Sequence, residues 1–212
     1  LYVLRNGQSQ IKNNDGVGLS VDSIVVALSD SFVTSSATPV KISMIKTTVV
    51  AGFAVPKTIS GTQTTAGDTV IFLLTDRLDT TSEDGFYTIS VAVSDVMGNA
   101  KTHVINFNFD RTPPVTKFTY PALNGVTFNT NISIAGSAVE DMSGVKQVNI
   151  VIDTGFGFIS DTAVVDPYSK EFTYFLKLST FGVGPDSPVR IGTEGTDTAG
   201  NREIVTDTII VF

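Results

Sequence analysis

The chain has 212 residues, of which 42% are hydrophobic, and it contains no cysteine and carries a formal net charge of −7. The absence of cysteine excludes disulfides, thiolate zinc sites and a cysteine nucleophile. The acidic balance argues against a nucleic-acid partner, because phosphate binding requires clustered lysine and arginine. No apolar run approaches the roughly 18 residues that span a bilayer, so we expect no membrane span in this segment.

Short runs of β-branched and aromatic residues recur along the chain, separated by Gly, Asn, Asp and Ser. None of these runs has a 3.6-residue period, so the pattern predicts an all-β fold. In the first half we predict seven strands, at residues 1–5, 19–28, 40–45, 49–54, 69–74, 87–93 and 102–109. In the second half we predict strands at residues 116–120, 131–138, 147–152, 157–159, 172–178, 189–196 and 204–212. Seven strands in each half suit a sandwich of two sheets.

A domain boundary is indicated at residues 109–114, Phe-Asp-Arg-Thr-Pro-Pro, where a strand-like run stops at an acidic residue. Proline fixes φ and pushes the preceding residue toward an extended conformation. We therefore predict a stiff linker at residues 111–114, between one domain at residues 1–110 and a second at 115–212.

The two halves share an internal repeat. Residues 87–99 and 189–201 both end in Asp-x-x-Gly-Asn and are followed by an alternating final strand. A repeat of roughly a hundred residues is typical of tandem sandwich domains rather than of solenoids. The same spacing places the next boundary at Phe212, and the chain opens at Leu1 without a methionine, so we expect a piece of a longer protein.

Residues 84–99 and 109–114 resemble the closing third of tandem bacterial Ig-like domains, and residues 136–148 resemble the corner between their second and third strands. Such domains occur in adhesins, S-layer proteins and other large surface or secreted proteins. The resemblance implies two Greek-key Ig-like β-sandwiches arranged end to end in an extracellular or cell-surface protein. It also implies neighbouring Ig-like domains as partners, and a glycan or protein on a host or cell surface as a further one. Residues 189–195 depart from the pattern, because their apolar alternation is weak.

The acidic turns suggest a calcium site. In an end-to-end pair, the last strand of the first domain would bring Asp110 to the pole of the second that carries Glu140, Asp141 and Asp197. Ca²⁺ takes six to eight oxygen ligands, several of them from carboxylates. We therefore predict that these four residues bind Ca²⁺ at the joint, and the resemblance agrees, since adhesins of this type often carry calcium between domains.

The first domain has an equivalent acidic pole, and all the acidic loops have a structural alternative. The equivalent pole of the first domain offers Asp30 and Asp95 but no preceding linker aspartate, so we expect it to bind Ca²⁺ weakly or not at all. The alternative for all the acidic loops is a structural turn, in which Asp caps backbone N–H groups and Gly takes a positive φ.

Catalytic chemistry has little support. The only histidine, His103, lies within a predicted strand, and the sequence has no Gly-x-Ser-x-Gly elbow, so we expect no enzyme. The chain also lacks tryptophan, a common platform for sugars. Phe156 and Phe158 lie beside Gly155 and Gly157 at a predicted hairpin, where they either face the core or form an exposed ligand contact.

The predicted function is a structural spacer of a bacterial cell-surface or secreted multidomain protein, with rigidity that depends on Ca²⁺. One alternative is a carbohydrate- or protein-binding accessory module of a secreted enzyme. The other is a subunit of a self-assembling surface filament or layer, in which edge strands of neighbouring copies pair.

Overall fold

A computed structural model describes residues 2–5, 9–28, 40–95, 97–121, 126–127, 131–140, 142–155, 157–182, 189–203 and 208–211. The chain divides into two compact units, Leu1–Arg111 and Thr112–Phe212. Within the described ranges the regular structure is almost entirely β-strand, and no helix there is long and apolar enough to cross a membrane.

The first unit forms two five-stranded sheets, with the orders β2-β1-β4-β8-β7 and β3-β10-β9-β5-β6. Its described strands are β1 (Tyr2–Arg5), β2 (Ser9–Gln10), β3 (Asp15–Val17), β4 (Val21–Ala27), β5 (Val40–Val50), β6 (Phe53–Ile59), β7 (Gly61–Ala66), β8 (Thr69–Leu78), β9 (Gly85–Ser94) and β10 (Ala100–Phe109). A 3₁₀ turn at Thr81–Glu83 precedes β9.

The second unit forms a four-stranded sheet, β11-β13-β17-β16, and a five-stranded sheet, β12-β19-β18-β14-β15. Its described strands are β11 (Val115–Tyr120), β12 (Val126–Thr127), β13 (Asn131–Val139), β14 (Val145–Asp153), β15 (Phe158–Thr162), β16 (Val164–Val165), β17 (Glu171–Lys177), β18 (Val189–Asp197) and β19 (Thr208–Val211). A 3₁₀ turn, Leu178–Phe181, follows β17.

The same topology occurs in both units. In each unit a short early strand runs parallel to the final strand, as β3 does to β10 and β12 does to β19, whereas the long pairs are antiparallel. Each final strand lies beside the strand that precedes it, and that strand lies beside the first strand of a hairpin. The predicted all-β fold of tandem Ig-like sandwiches is therefore confirmed.

The core of the first unit follows from alternation along its strands. On β9, Tyr87, Ile89 and Val91 are buried at every second position, because successive strand residues point to opposite faces. The Tyr87 ring stacks on Phe107 with centroids 5.4 Å apart and meets Phe109 edge-on at 6.3 Å. Its hydroxyl donates to the backbone oxygen of residue 83 at 2.6 Å, and burial raises the pKa of Tyr87 above its ordinary value. This bond fixes the corner at which the chain enters β9.

In the second unit the core packs aliphatic side chains of β14 against β13 and β17. Phe172 is fully buried and lies opposite Gly136 in the register of β13 and β17. A Cβ atom at Gly136 would lie 2.1 Å from Cζ of Phe172, so only glycine leaves room for this ring.

The strands differ from the predicted ones at two places in the first unit. The strand predicted at residues 49–54 is wrong, because the chain reverses at Ala51 and Gly52, both of which have positive φ. An apolar run with one glycine gave little sign of a turn there. The polar strand β7 was not predicted, and much of the final strand predicted at 204–212 lies outside the described residues.

The weak apolar alternation of β18 has a physical cause. After Val189 and Ile191, the next inward positions of this strand are Thr193, Gly195 and Asp197.

Candidate functional site

The two Asp-x-x-Gly-Asn turns are built by the same hydrogen bonds. In the first unit, the Asn99 backbone N–H donates to Oδ1 of Asp95 at 2.8 Å, and its side-chain Nδ2 donates to Oδ2 at 2.7 Å. In the second unit, Asn201 makes both bonds to Asp197 at 2.8 Å. The side chain of Asn99 is the main cause that holds the pKa of Asp95 below its ordinary value. In each turn, both carboxylate oxygens are thus engaged by the turn itself.

The loop before β14 is capped in a similar way. The N–H of Met142 donates to Oε1 of Glu140 at 2.7 Å, and the N–H of Gly144 donates to Oε2. Thr198 then joins this loop to the neighbouring turn, since its N–H donates to the oxygen of Gly144 at 3.0 Å and its hydroxyl donates to the oxygen of Ser143 at 2.5 Å. The structure therefore brings Glu140 and Asp197 into two loops that are bonded to each other.

The fit of these groups to calcium can be judged within each unit. Glu140 and Asp197 accept N–H donors, which is the geometry of capped turns. Within neither unit do three described Asp, Glu or His side chains gather so that they could hold one metal ion. Asp141, required for the predicted site, and Asp30, assigned to the weaker one, lie outside the described residues. The calcium site therefore stays a prediction.

Asp110 ends the final strand of the first unit. Its side chain is fully buried, and its N–H donates to the oxygen of Val17 at 3.0 Å, which completes the pairing of Phe109 with Val17 at the end of β3 and β10. The next residue is held by the same unit: the N–H of Arg111 donates to Oδ1 of Asp84 at 2.8 Å, and its Nη1 donates to the oxygen of Gly18 at 2.9 Å. The chain thus leaves the first unit from a fixed position.

The chain enters the second unit at an equally fixed position. Pro114 is buried against β18, and a Cβ atom at Gly195 would lie only 2.9 Å from Cγ of Pro114. The N–H of Thr116 donates to Oε1 of Glu203 at 2.8 Å, and its hydroxyl donates to Oε2 at 2.5 Å. Gly195 N–H also donates to Oε2 of Glu203, at 3.2 Å, and Thr193 lies 2.7 Å from the Thr116 hydroxyl. We call this buried group the Glu203 network.

The Glu203 network was not predicted from the sequence. The final strand was predicted to begin at residue 204, so one acidic residue beside Asn201 and Arg202 was typical of a loop. The available signal was a pair of threonines, Thr116 and Thr193, at inward positions of predicted strands, since a buried hydroxyl requires a hydrogen-bonding partner.

A groove of about 750 Å³ opens on the outer face of the five-stranded sheet of the second unit. Phe158, one of the two predicted contact residues, lines it and is 78% exposed, so its side chain does not face the core. Arg190 lines the groove too, and Arg202 forms an ion pair with the buried Glu194 that raises the pKa of the guanidinium. Phe156 lies outside the described residues.

The other sheet of the second unit presents two aromatic residues on its outer face. Tyr120 lies opposite Ala135, and Phe175 lies opposite Ser133, in the registers that β11 and β17 share with β13. Both rings are exposed, and the residues of β13 opposite them, Ala135 and Ser133, have small side chains. We call Tyr120 and Phe175 the aromatic face. This face was not predicted from the sequence.

Comparison with known proteins gives similarity of structure but not of sequence. No protein-family model and no curated protein matches the chain. A tetra-tandem repeat from the extending region of a large adhesion protein is 16% identical, with a TM-score of 0.34, over 94% of this chain and 47% of that one. A 1.5-MDa bacterial ice-binding adhesin is 12% identical, with a TM-score of 0.32, over 98% and 59%. Two fibronectin type III domains of chicken tenascin are 15% identical, with a TM-score of 0.34, over 94% and 95%.

The chain spans about half the length of the two adhesin chains that it matches. Its own strand order defines the class: a protein of tandem Ig-like β-sandwich units.

Proposed function

We propose that this chain is a structural spacer in a bacterial cell-surface or secreted multidomain protein, located outside the cell and without catalytic activity. Its partners would be the neighbouring Ig-like domains of the same longer chain.

The connection between the units carries this proposal. Arg111 is bonded to the first unit through Gly18 and Asp84, whereas Pro114 is buried in the second. Only residues 112 and 113 lie between these two anchors, and one of them is a proline with fixed φ. A spacer requires few free torsions between its domains, and this segment has few.

Nuclear spin relaxation tests the proposal. If the connection is stiff, backbone amides in both units report the same overall tumbling time, longer than that of a single unit. A matched control inserts Gly-Gly-Ser after Thr112, which keeps both anchors and adds a flexible joint. Separate, shorter tumbling times in the native chain, equal to those of the insertion variant, would overturn the proposal.

Dependence on calcium is a separate proposal for the same joint. A ligand at a hundred times its dissociation constant stabilises the native state by about 2.7 kcal/mol, which raises the melting temperature of a domain by several degrees. We expect such a rise between excess EGTA and millimolar Ca²⁺, and a smaller one in Asp110→Asn. Equal melting temperatures with and without Ca²⁺ would assign the acidic loops to turns alone and leave the spacer proposal standing.

The aromatic face supports a second candidate, a carbohydrate-binding accessory module. Exposed aromatic rings can stack on the apolar faces of sugar rings, and hydroxyl side chains such as that of Ser133 lie between Tyr120 and Phe175. A glycan array tests this candidate directly. Binding that is lost in Phe175→Ala but kept in Phe53→Ala, a change of an equally exposed ring in the other unit, would favour the module over a passive spacer.

The filament alternative is disfavoured at one edge of the first unit. The pairing of β5 with β6 ends at Met44 opposite Ile59, so residues 40–42 of β5 lie beyond it. There the side chain of Gln63 bonds to the backbone of β5: its Oε1 accepts from the N–H of Ile42 at 3.1 Å, and its Nε2 donates to the oxygen of Val40 at 2.6 Å. Pro56 lies in the edge strand β6 and offers no N–H there. Both features hinder the addition of a strand from another copy.

A further inference from the structure

The hairpin of β5 and β6 extends beyond its sheet. These strands pair from Met44 opposite Ile59 to Val50 opposite Phe53. The neighbouring strand β9 accompanies β5 only as far as Thr47. Residues 48–55 therefore form a two-stranded ribbon without a third strand beside it, which we call the hairpin tip.

The hairpin tip is apolar on both faces. Residues 49–55 read Val-Val-Ala-Gly-Phe-Ala-Val, without a charged or hydrogen-bonding side chain, and the hydroxyl of Thr48 donates within the tip to the oxygen of Val55 at 3.3 Å. Val49 is 73% exposed and Phe53 is 76% exposed, and Val50 and Val55 are exposed as well. Successive residues of a strand point to opposite faces, so these side chains cover both sides of the ribbon. A flat surface of a partner could cover only one of those sides.

The turn itself keeps an apolar residue at a conformational cost. Ala51 has φ of 51° and Gly52 has φ of 83°, as in a two-residue hairpin turn with both central residues left-handed. The first of these positions favours Asn or Asp, because a left-handed conformation is unfavourable for residues such as alanine. Alanine there maintains an apolar tip where turn chemistry alone would select a polar side chain.

Two lysines lie directly behind the hairpin tip. Lys46 and Lys57 face each other in the register of β5 and β6, an arrangement of like charges that destabilises a strand pair. Lys46 is partly compensated, since its Nζ donates to the oxygen of Ser82 at 3.2 Å and Glu83 lies near it. Lys57 is exposed and takes part in none of the ion pairs of the described residues.

We propose that the hairpin tip inserts into the interfacial region of a lipid bilayer, with the exposed Lys57 against the lipid phosphates, since the Lys46 ammonium is held by Ser82 and lies over the Tyr87 ring. An apolar segment backed by an exposed basic residue complements the acyl boundary and the charge of the headgroups. The tip has eight residues, fewer than the roughly 20–30 residues per partner of a stable protein interface. A bilayer interface surrounds an inserted ribbon and covers both of its faces. Insertion is shallow, because the outer edges of the ribbon leave backbone groups that hydrocarbon cannot satisfy.

A single fluorophore tests this proposal, because the chain contains no tryptophan. Phe53→Trp places a reporter at the tip, and Phe175→Trp places a matched one on an exposed position of the second unit. Vesicles of phosphatidylcholine with a fraction of phosphatidylglycerol should shift the emission of the first variant to the blue and leave the second unchanged. Brominated acyl chains should quench only the first.

Further variants in the Phe53→Trp background identify the contribution of each part. Val49→Ser should weaken vesicle partitioning by about tenfold, the factor expected from removing one buried apolar side chain. Lys57→Gln should weaken binding to phosphatidylglycerol vesicles and reduce its dependence on salt. Unchanged emission of Phe53→Trp on addition of these vesicles would overturn the proposal. A blue shift without vesicles that grows with protein concentration would overturn it as well, because the tip would then be covered by a second copy.

Discussion

Replacing Glu203 by alanine tests the anchor by which the connecting segment enters the second unit. Glu203 is 8% exposed, and its carboxylate accepts bonds from the N–H groups of Thr116 and Gly195 and from the Thr116 hydroxyl. Alanine leaves both N–H groups without this acceptor, whereas the hydroxyl keeps Thr193. At 1–3 kcal/mol for each unsatisfied buried group, we expect a loss of about 3 kcal/mol.

Chemical denaturation with hydrogen exchange read by mass spectrometry measures this loss in each unit. The unfolding free energy of the second unit should fall by about 3 kcal/mol, equivalent to a melting temperature lower by ten degrees or more. Amides of β11 should lose protection, and those of the first unit should not. Glu203→Gln keeps an acceptor for one N–H and should cost about half as much. Glu171→Ala, a change at an exposed position, should alter the unfolding free energy by no more than about 0.5 kcal/mol. An equally small loss of unfolding free energy in Glu203→Ala would refute the role of Glu203 as an anchor.

Three further outcomes follow from the described contacts. Gln63→Ala should destabilise the first unit by about 1–2 kcal/mol in urea, and Thr65→Ala on the same strand should not; equal losses would show that the side-chain bonds of Gln63 contribute nothing. Because the side chain of Asn99 holds the pKa of Asp95 below its ordinary value, the unfolded chain binds more protons in acid, so this stabilisation is present above the unfolded pKa and is lost as pH falls through the folded pKa. Asn99→Ala should raise that pKa in a carbon-detected NMR titration, and an unchanged value would contradict the assigned cause. Gly136→Ala should cost about 2–3 kcal/mol by calorimetry, since a Cβ atom there overlaps the opposite ring, and a neutral effect would mean that the core repacks freely.

Strand alternation and the repeated turn were readable from the sequence because they are local. Tyr87, Ile89 and Val91 alternate at every second position, and the pattern alone predicts which side is buried. The Asp-x-x-Gly-Asn turns contain donor, acceptor and positive-φ glycine within five residues, so both were identified as turns or calcium ligands.

The Glu203 network and the hairpin tip were not readable, for two physical reasons. Glu203 meets Thr116 across 87 residues of chain, and nothing local in the sequence reports such a partner. At the tip, Val50 and Phe53 have the composition of a strand interior, and they are exposed because the ribbon outruns its neighbour β9. The positive φ of Ala51 also hid the turn, since alanine rarely adopts that conformation.

The distance distribution between the two units tests the central claim most directly. The chain has no cysteine, so Thr64→Cys and Glu171→Cys give one exposed spin-labelling site in each unit for double electron–electron resonance. A stiff, doubly anchored connection predicts one narrow distance peak, which broadens when Gly-Gly-Ser is inserted after Thr112. A native distribution as broad as that of the insertion variant would contradict the account, because the units would then move independently and could not act as a spacer of fixed length.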